Sequence, residues 1–212
     1  ILSVYSYSEL TTDSQHKNGD RVYLYSDLVN GRINSSAVLK TQIDLTIPEV
    51  ESTVIVSSPW NNPVLQAEGR DPIESDIITA DPDFFKLSTY EAVEGDLSSA
   101  LNDPMTVVLT KPLADKLFGK ESVVGKTIQI DNKNALTVTA VVKVPQVKSA
   151  LSFNAITSNA SRKTIYPNPG EFEEWGYRNF QLFVLLKQGA NAGEVSKQIS
   201  KLFPDYDKYK EN

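Results

Sequence analysis

Between Thr106 and Pro145 the apolar residues change their spacing twice, and that succession leaves few folds open to the chain. Met105 to Leu109 is short, β-rich and almost unbrokenly apolar, which reads as a buried strand. After Thr110, a capping residue, Leu113/Leu117 and Ala114/Phe118 form i,i+4 pairs on adjoining faces of a helix, and Gly119 supplies the left-handed residue that ends it. Thr127 to Ile130, the turn Asp131-Asn132-Lys133-Asn134 and the alternation Leu136, Val138, Ala140, Val142, Val144 then describe a β-hairpin, which Pro145 stops. Upstream, Asp81 reads as the N-cap, and Pro82 as the first residue, of a short helix carrying Phe84 and Phe85. Leu97, Ala100 and Leu101 recur at i, i+3, i+4, the stripe of a second short helix. The middle of the chain is therefore expected to be a compact α+β unit.

The flanks carry a different pattern. Arg21 to Tyr25 reads as a strand, a weakly amphipathic helix through Val38, Gln42 and Leu45 follows the Asn30-Gly31 turn, and Pro48 ends it. Val50 to Val56 is the next strand, and 63–68 and 73–80 are two more. Near the other end Phe180, Leu182, Val184 and Leu186 alternate as a strand. Val195, Ile199 and Leu202 then form a helical stripe capped by Asn191, with Glu194 three residues on and Pro204 as its stop. Strand-helix-strand at the start and strand-helix at the end can share one sheet, so the expected division is 1–75 with 160–212 as one discontinuous module and 76–159 as an inserted α+β module.

The order of these segments carries a resemblance. Asp81-Pro82-Asp83-Phe84-Phe85, Glu94-Gly95-Asp96-Leu97, the 106–119 block, Gly125-Lys126-Thr127-Ile128, the 138–145 strand, and Ser149, Leu151 and Phe153 together resemble the extracytoplasmic core domain of MacB-like and FtsX-like ABC-transporter permeases. Glu9 to Asp13, Gly19 to Tyr23, Ile47 to Glu51, Trp175 and 180–189 extend the likeness over roughly the whole chain. Ala150 and Asn154 depart from it, since relatives often carry His and Asp there. The resemblance implies a two-module α+β periplasmic domain without catalytic, cofactor or metal residues, on the outer face of the bacterial inner membrane. It implies partners too: the protein's own transmembrane helices, a cytosolic ABC ATPase that keeps ATP and magnesium to itself, and a second permease subunit. A periplasmic protein or an exported peptide, lipoprotein or toxin would be what the machine acts on.

Composition fits that implication and excludes others. A net charge of −6 and a pI near 4.9 argue against a phosphate-backbone surface, so nucleic acid is not an expected partner. The chain has no cysteine, which rules out disulfides and thiolate metal sites. It has no apolar run long enough to span a bilayer. It opens on Ile1 and closes on the polar run Tyr209-Lys210-Glu211-Asn212, as expected of a piece of a longer membrane protein.

Several motifs invite chemical readings and support them poorly. His16 is the single histidine and lies in a polar stretch without a nucleophile elbow nearby. Asp81-Pro82-Asp83 matches an Asp-x-Asp metal string but is explained as a helix start. Glu171-Phe172-Glu173-Glu174-Trp175 could offer paired carboxylates and a stacking ring to a sugar. Gly119 to Thr127 ends Gly-Lys-Thr, yet five residues separate its glycines where a phosphate loop has four, and a strand follows where that loop needs a helix. The residues best suited to touch a partner are Trp60, in a Pro- and Asn-rich loop, with Trp175 and Tyr177. Those three would also serve the alternative, a secreted glycan- or peptide-binding adhesion module.

Overall fold

The computed structural model describes residues 2–6, 18–27, 34–58, 62–144 and 151–202, and these divide into two compact units. The first contains Asn18–Ile55, the chain from Pro169 onward and the strand at the start; the second runs from Val56 to Asn168. The expected boundaries at 75/76 and 159/160 differ from these for a simple reason. Residues 63–75 find their strand partners in the second unit, and the helix that starts at Asn159 packs on a strand of that unit.

In the first unit strands from both flanks of the chain share one sheet. β1 (Leu2–Ser6) pairs antiparallel with β2 (Val22–Asp27), and β2 pairs antiparallel with β13 (Phe180–Leu186). β13 is flanked on its other side by β4 (Val50–Ser57), and the short β3 (Asn34–Ser35) also pairs with it. Helix α1 (Ala37–Thr46) starts where the Ser36 hydroxyl accepts the Leu39 N–H. Its buried stripe is Ala37, Leu39 and Ile43, continued by Ile47, whereas Leu45 is 74% exposed. The face expected from Val38, Gln42 and Leu45 is thus the wrong one: Leu39, Ile43 and Ile47 repeat at i+4 and bury more apolar surface. Helix α5 (Ala192–Ser200) is capped by Asn191, whose side-chain oxygen accepts the Glu194 N–H at 3.1 Å, and it buries Val195 and Ile199. Phe180, Leu182, Val184 and Leu186 join Leu39, Ile43, Val195 and Ile199 in one core.

The second unit is built around β11 (Asn134–Val142). β9 (Thr106–Thr110) pairs parallel along one edge of it. β10 (Thr127–Ile130) and β8 (Ala92–Gly95) both pair antiparallel with it, β10 along its first half and β8 along its end. Beyond β9 lie β12 (Ala155–Ser158), then β7 (Ile77–Ala80), which meets Val56 and Ser57 of β4; beyond β10 lie β5 (Val64–Ala67) and β6 (Ile73–Glu74). The parallel β9–β11 pair needs a crossover, and helix α3 (Lys111–Phe118) supplies it, with Leu113, Ala114, Leu117 and Phe118 turned onto the sheet and Gly119 ending it at φ 75°. The hairpin turn is where the sequence put it: Asp131 and Asn132 both take left-handed φ, and the Asp131 carboxylate accepts the Val64 N–H at 2.9 Å.

Two expectations for the middle are corrected, and one helix is added. Helix α2 (Phe84–Leu87) begins after Asp83, and the Asp83 side chain makes no capping bond. Asp81 takes the Asn159 side-chain amide at 2.8 Å instead of capping, while its carbonyl closes a turn on the Phe84 N–H. Leu97 to Leu101 is a run of turns in which Ala100 and Leu101 are buried, so helical spacing there reports burial alone. Helix α4 (Asn159–Ile165) was not expected, because the residues it buries are Asn159, Ser161 and Arg162, which no hydrophobic periodicity reveals.

Candidate functional site

The phosphate-loop reading finds no matching geometry. In the Gly119 to Thr127 segment three amides of the turn before the strand are already engaged. The Val123 N–H donates to the Glu94 carboxylate at 3.0 Å, Gly125 N–H to the Val138 carbonyl and Lys126 N–H to the Val123 carbonyl. Lys126 itself pairs with Glu121 and lies over the Phe118 ring, 5.4 Å from its centre. Glu121 is held below the ordinary carboxylate range by that lysine, so the pair is an ion pair at neutral pH. No group of three metal-ligating side chains occurs among the described residues. His16 lies outside the described residues.

Of the proposed contact residues, Trp60 also lies outside the described residues. Trp175 and Tyr177 belong to the first unit, in the turns that precede β13. There Gly170, at φ 81°, lets the chain reverse so that its carbonyl accepts the N–H groups of both Glu173 and Glu174. That reversal carries Phe172 to within 5.3 Å of Phe180 and sets Trp175 against the same core, each partly covered. Glu171 is buried, while Glu173 and Glu174 face solvent. The aromatic and acidic residues therefore do not form a stacking platform with paired carboxylates in front of it. Phe172 and Trp175 close the first core, leaving Tyr177 half-exposed at its margin.

The second unit holds an aromatic group that the sequence reading did not assemble. Phe84 and Phe85 of α2, Tyr90 and Phe153 form a cluster with ring centres 5.2 to 6.2 Å apart, mostly edge-on or tilted. Phe84 is buried; Phe85, Tyr90 and Phe153 are partly exposed. Val93 and Val144, both exposed, follow closely in the paired segments, where the Lys143 N–H donates to the Glu91 carbonyl at 3.0 Å. Phe84-Phe85 and Phe153 are visible as motifs, but Tyr90 gives no signal until the strand pairing brings it back.

Comparison with known proteins identifies the family. The family model described as the MacB-like periplasmic core domain matches residues 1–202. No curated protein sequence matches the chain. Among solved structures, the fold is similar to a domain assigned to a permease protein from Porphyromonas gingivalis, with TM-score 0.73 and 19% identity over 91% of this chain and 88% of that one. It is also similar to the periplasmic region of MacB from Actinobacillus actinomycetemcomitans, with TM-score 0.64 and 16% identity over 85% and 80% of the two chains. The extracellular domain of the noncanonic ABC-type transporter YknZ from Gram-positive bacteria gives TM-score 0.60 and 13% identity over 83% and 84%.

Proposed function

Because the chain belongs to the MacB-like periplasmic core domain family, we propose that it is the non-catalytic outer part of an ABC-transporter permease, carrying ATP-driven movement to an exported substrate or a periplasmic partner. The observation that carries this reading is the family match over residues 1–202. The fold adds a mechanical argument: β1 and α5, the first and last described elements, lie against each other in one unit, as a domain tethered to the membrane at both ends requires. A load applied there meets a hydrogen-bonded sheet and moves a packed unit, a recognised mode of coupling. The unit that gathers both ends is the tethered one, and the unit of Val56 to Asn168 is the insertion it carries. The partners of this reading are transmembrane helices of the same protein, a cytosolic ABC ATPase and a second permease subunit. On this reading ATP and magnesium are held by the ATPase, and the engaged Val123, Gly125 and Lys126 amides of the Gly-Lys-Thr turn support that division. The adhesion-module alternative gains nothing from Trp175, whose ring is partly spent on the core.

A spin label at Lys116→Cys, on the exposed face of α3 in a chain without native cysteine, tests the proposal in the full-length permease reconstituted with its ATPase. The label-to-label distance across the permease pair is expected to change between nucleotide-free and ATP-bound states. A distance that ignores nucleotide sinks the force-transmitting role. Magnesium-ATP is expected to leave the melting temperature of the isolated domain unchanged. Stabilisation that disappears in Lys126→Ala would assign nucleotide binding to this chain after all.

A further inference from the structure

β11 is a central strand with its two edges treated differently. β9 lies along one and is buried at every position. Along the end of the other lies β8, and no residue from 89 to 99 is buried, although the chain is anchored on both sides of this stretch, by Leu87 and Ser88 before it and by Ala100 and Leu101 after it. The β8–β11 ladder is short and irregular: Gly95 faces Ala140, Glu94 faces Val141, and the register slips before Ala92 meets Val142. At Gly95, φ 80°, backbone lies directly on backbone, since a Cβ would stand 2.3 Å from the Thr139 carbonyl oxygen. A segment with so little buried apolar surface is held by discrete ties.

The side-chain ties of this stretch that stand out are of different kinds. Tyr90 enters the ring cluster of Phe84, Phe85 and Phe153. Glu91 pairs with Lys143 in an exposed position, where an ion pair contributes little. Glu94 does more: its Oε2 accepts the Ser122 hydroxyl at 2.9 Å and the Val123 backbone N–H at 3.0 Å, and Val123 is itself buried in the second core. One carboxylate thus fastens the exposed strand to the turn before β10.

We propose that residues 89–99 form a detachable strap, latched by the Glu94 carboxylate on the Ser122–Val123 turn, that opens from β11 as a local unit while the sheet beneath it stays folded. Tyr90 is the pivot and Glu94 the release point. Acid is one trigger. The Val123 amide, then the Ser122 hydroxyl, hold the Glu94 carboxylate below the ordinary glutamate range, with Lys111 of α3 the charge that adds to them. A carboxylate with a lowered folded value contributes its bond above the unfolded value and loses it as pH falls through the folded one. The neighbouring charges are tied among themselves, Lys111 to Asp115, Glu121 to Lys126 and Glu91 to Lys143, so Glu94 is the group whose protonation acts on the turn directly. Asp96, also lowered by the Ser98 N–H, acts within the strap alone.

Hydrogen exchange on the whole chain tests the strap. In Glu94→Ala, peptides covering 89–99 and 121–124 are expected to lose protection roughly tenfold or more, the effect of deleting charge-assisted bonds, while 106–110 and 134–139 keep theirs. Glu94→Gln keeps an acceptor oxygen and is expected to fall between, with only the smaller acid response that Asp96 leaves in the strap when pH drops from about 7 to about 3.5. The wild-type chain is expected to approach Glu94→Ala over the same drop. Unchanged strap protection in Glu94→Ala overturns the latch. A loss shared equally by β9 and β11 overturns the local opening, and an acid response in Glu94→Gln as large as in the wild type removes Glu94 as the trigger.

Discussion

The two units reach similar layered cores by opposite routes. The second is nearly continuous in sequence, and its central pieces, the β10–β11 hairpin and the β9–α3–β11 crossover, are neighbours along the chain. The first closes only when β2 finds β13. Arg21 seals that closure by donating to the Leu186 carbonyl at 2.7 Å, across 165 positions, and to Glu51 at 2.8 Å. Loop-closure entropy rises only with the logarithm of length, so such a sheet is slow to form rather than weak once formed.

One pair of equivalent substitutions can break this comparison. Phe180→Ala, in the first core, and Phe118→Ala, in the second, are each expected to cost about 3–5 kcal/mol in chemical denaturation. Phe180 should lie at the upper end, because it is fully buried and packs against the tilted Phe172 ring, whereas Phe118 keeps a margin of exposure under Lys126. If the units are independent, hydrogen exchange places each loss in its own unit. A single transition lowered everywhere by either change would mean one cooperative body, and a cost below about 1 kcal/mol at Phe118 would make α3 a surface helix.

The same contrast governs what was readable beforehand. Helix α3 and the hairpin were legible because Leu113/Leu117, Gly119 and Asp131-Asn132 act locally, and β2, β4, β13 and α5 because their apolar residues recur at the right period. Helix α1 was legible in extent but not in facing, since Leu45 completes a plausible stripe that tertiary packing rejects. β12 and α4 were invisible: Thr157, Ser158, Asn159, Ser161 and Arg162 are buried polar residues, satisfied or tolerated only in the assembled sheet. At the candidate site the aromatic residues stood out, but whether Trp175 faces a partner or the core depends on the Gly170 reversal, which is a tertiary fact.

A smaller effect sharpens the view of β8. Gly95→Ala combines a left-handed φ with a blocked Cβ and is expected to cost about 1–3 kcal/mol, confined to the second unit. Gly125→Ala, equally left-handed but with open space around it, should cost no more than about 1–2 kcal/mol. Equal melting temperatures for the two variants would mean that the backbone at Gly95 shifts freely and that its close approach to Thr139 is not a constraint.

In the first unit, Asn191→Ala removes the side chain that caps α5 and should cost about 0.5–2 kcal/mol by the same denaturation assay. Because α5 lies against β1, the loss should appear as faster exchange in both elements. Exchange that rises in α5 alone would show that the two described ends are not held together.

The smallest effect probes the polar row of the second unit. Ser57, Thr79 and Thr157 stand side by side on β4, β7 and β12, all buried, and the Ser57 and Thr79 hydroxyls share a hydrogen bond at 3.0 Å. Among the described residues the Thr157 hydroxyl has no partner, so the structure already bears the cost of desolvating it. Thr157→Val keeps the shape and removes that cost, and is expected to change stability by less than about 0.5 kcal/mol or to raise it. Thr79→Val, by contrast, strands the Ser57 hydroxyl and should destabilise by about 1–3 kcal/mol. A loss of more than about 1 kcal/mol in Thr157→Val would show that its hydroxyl is bonded, with an ordered water the natural partner for a polar group at that depth.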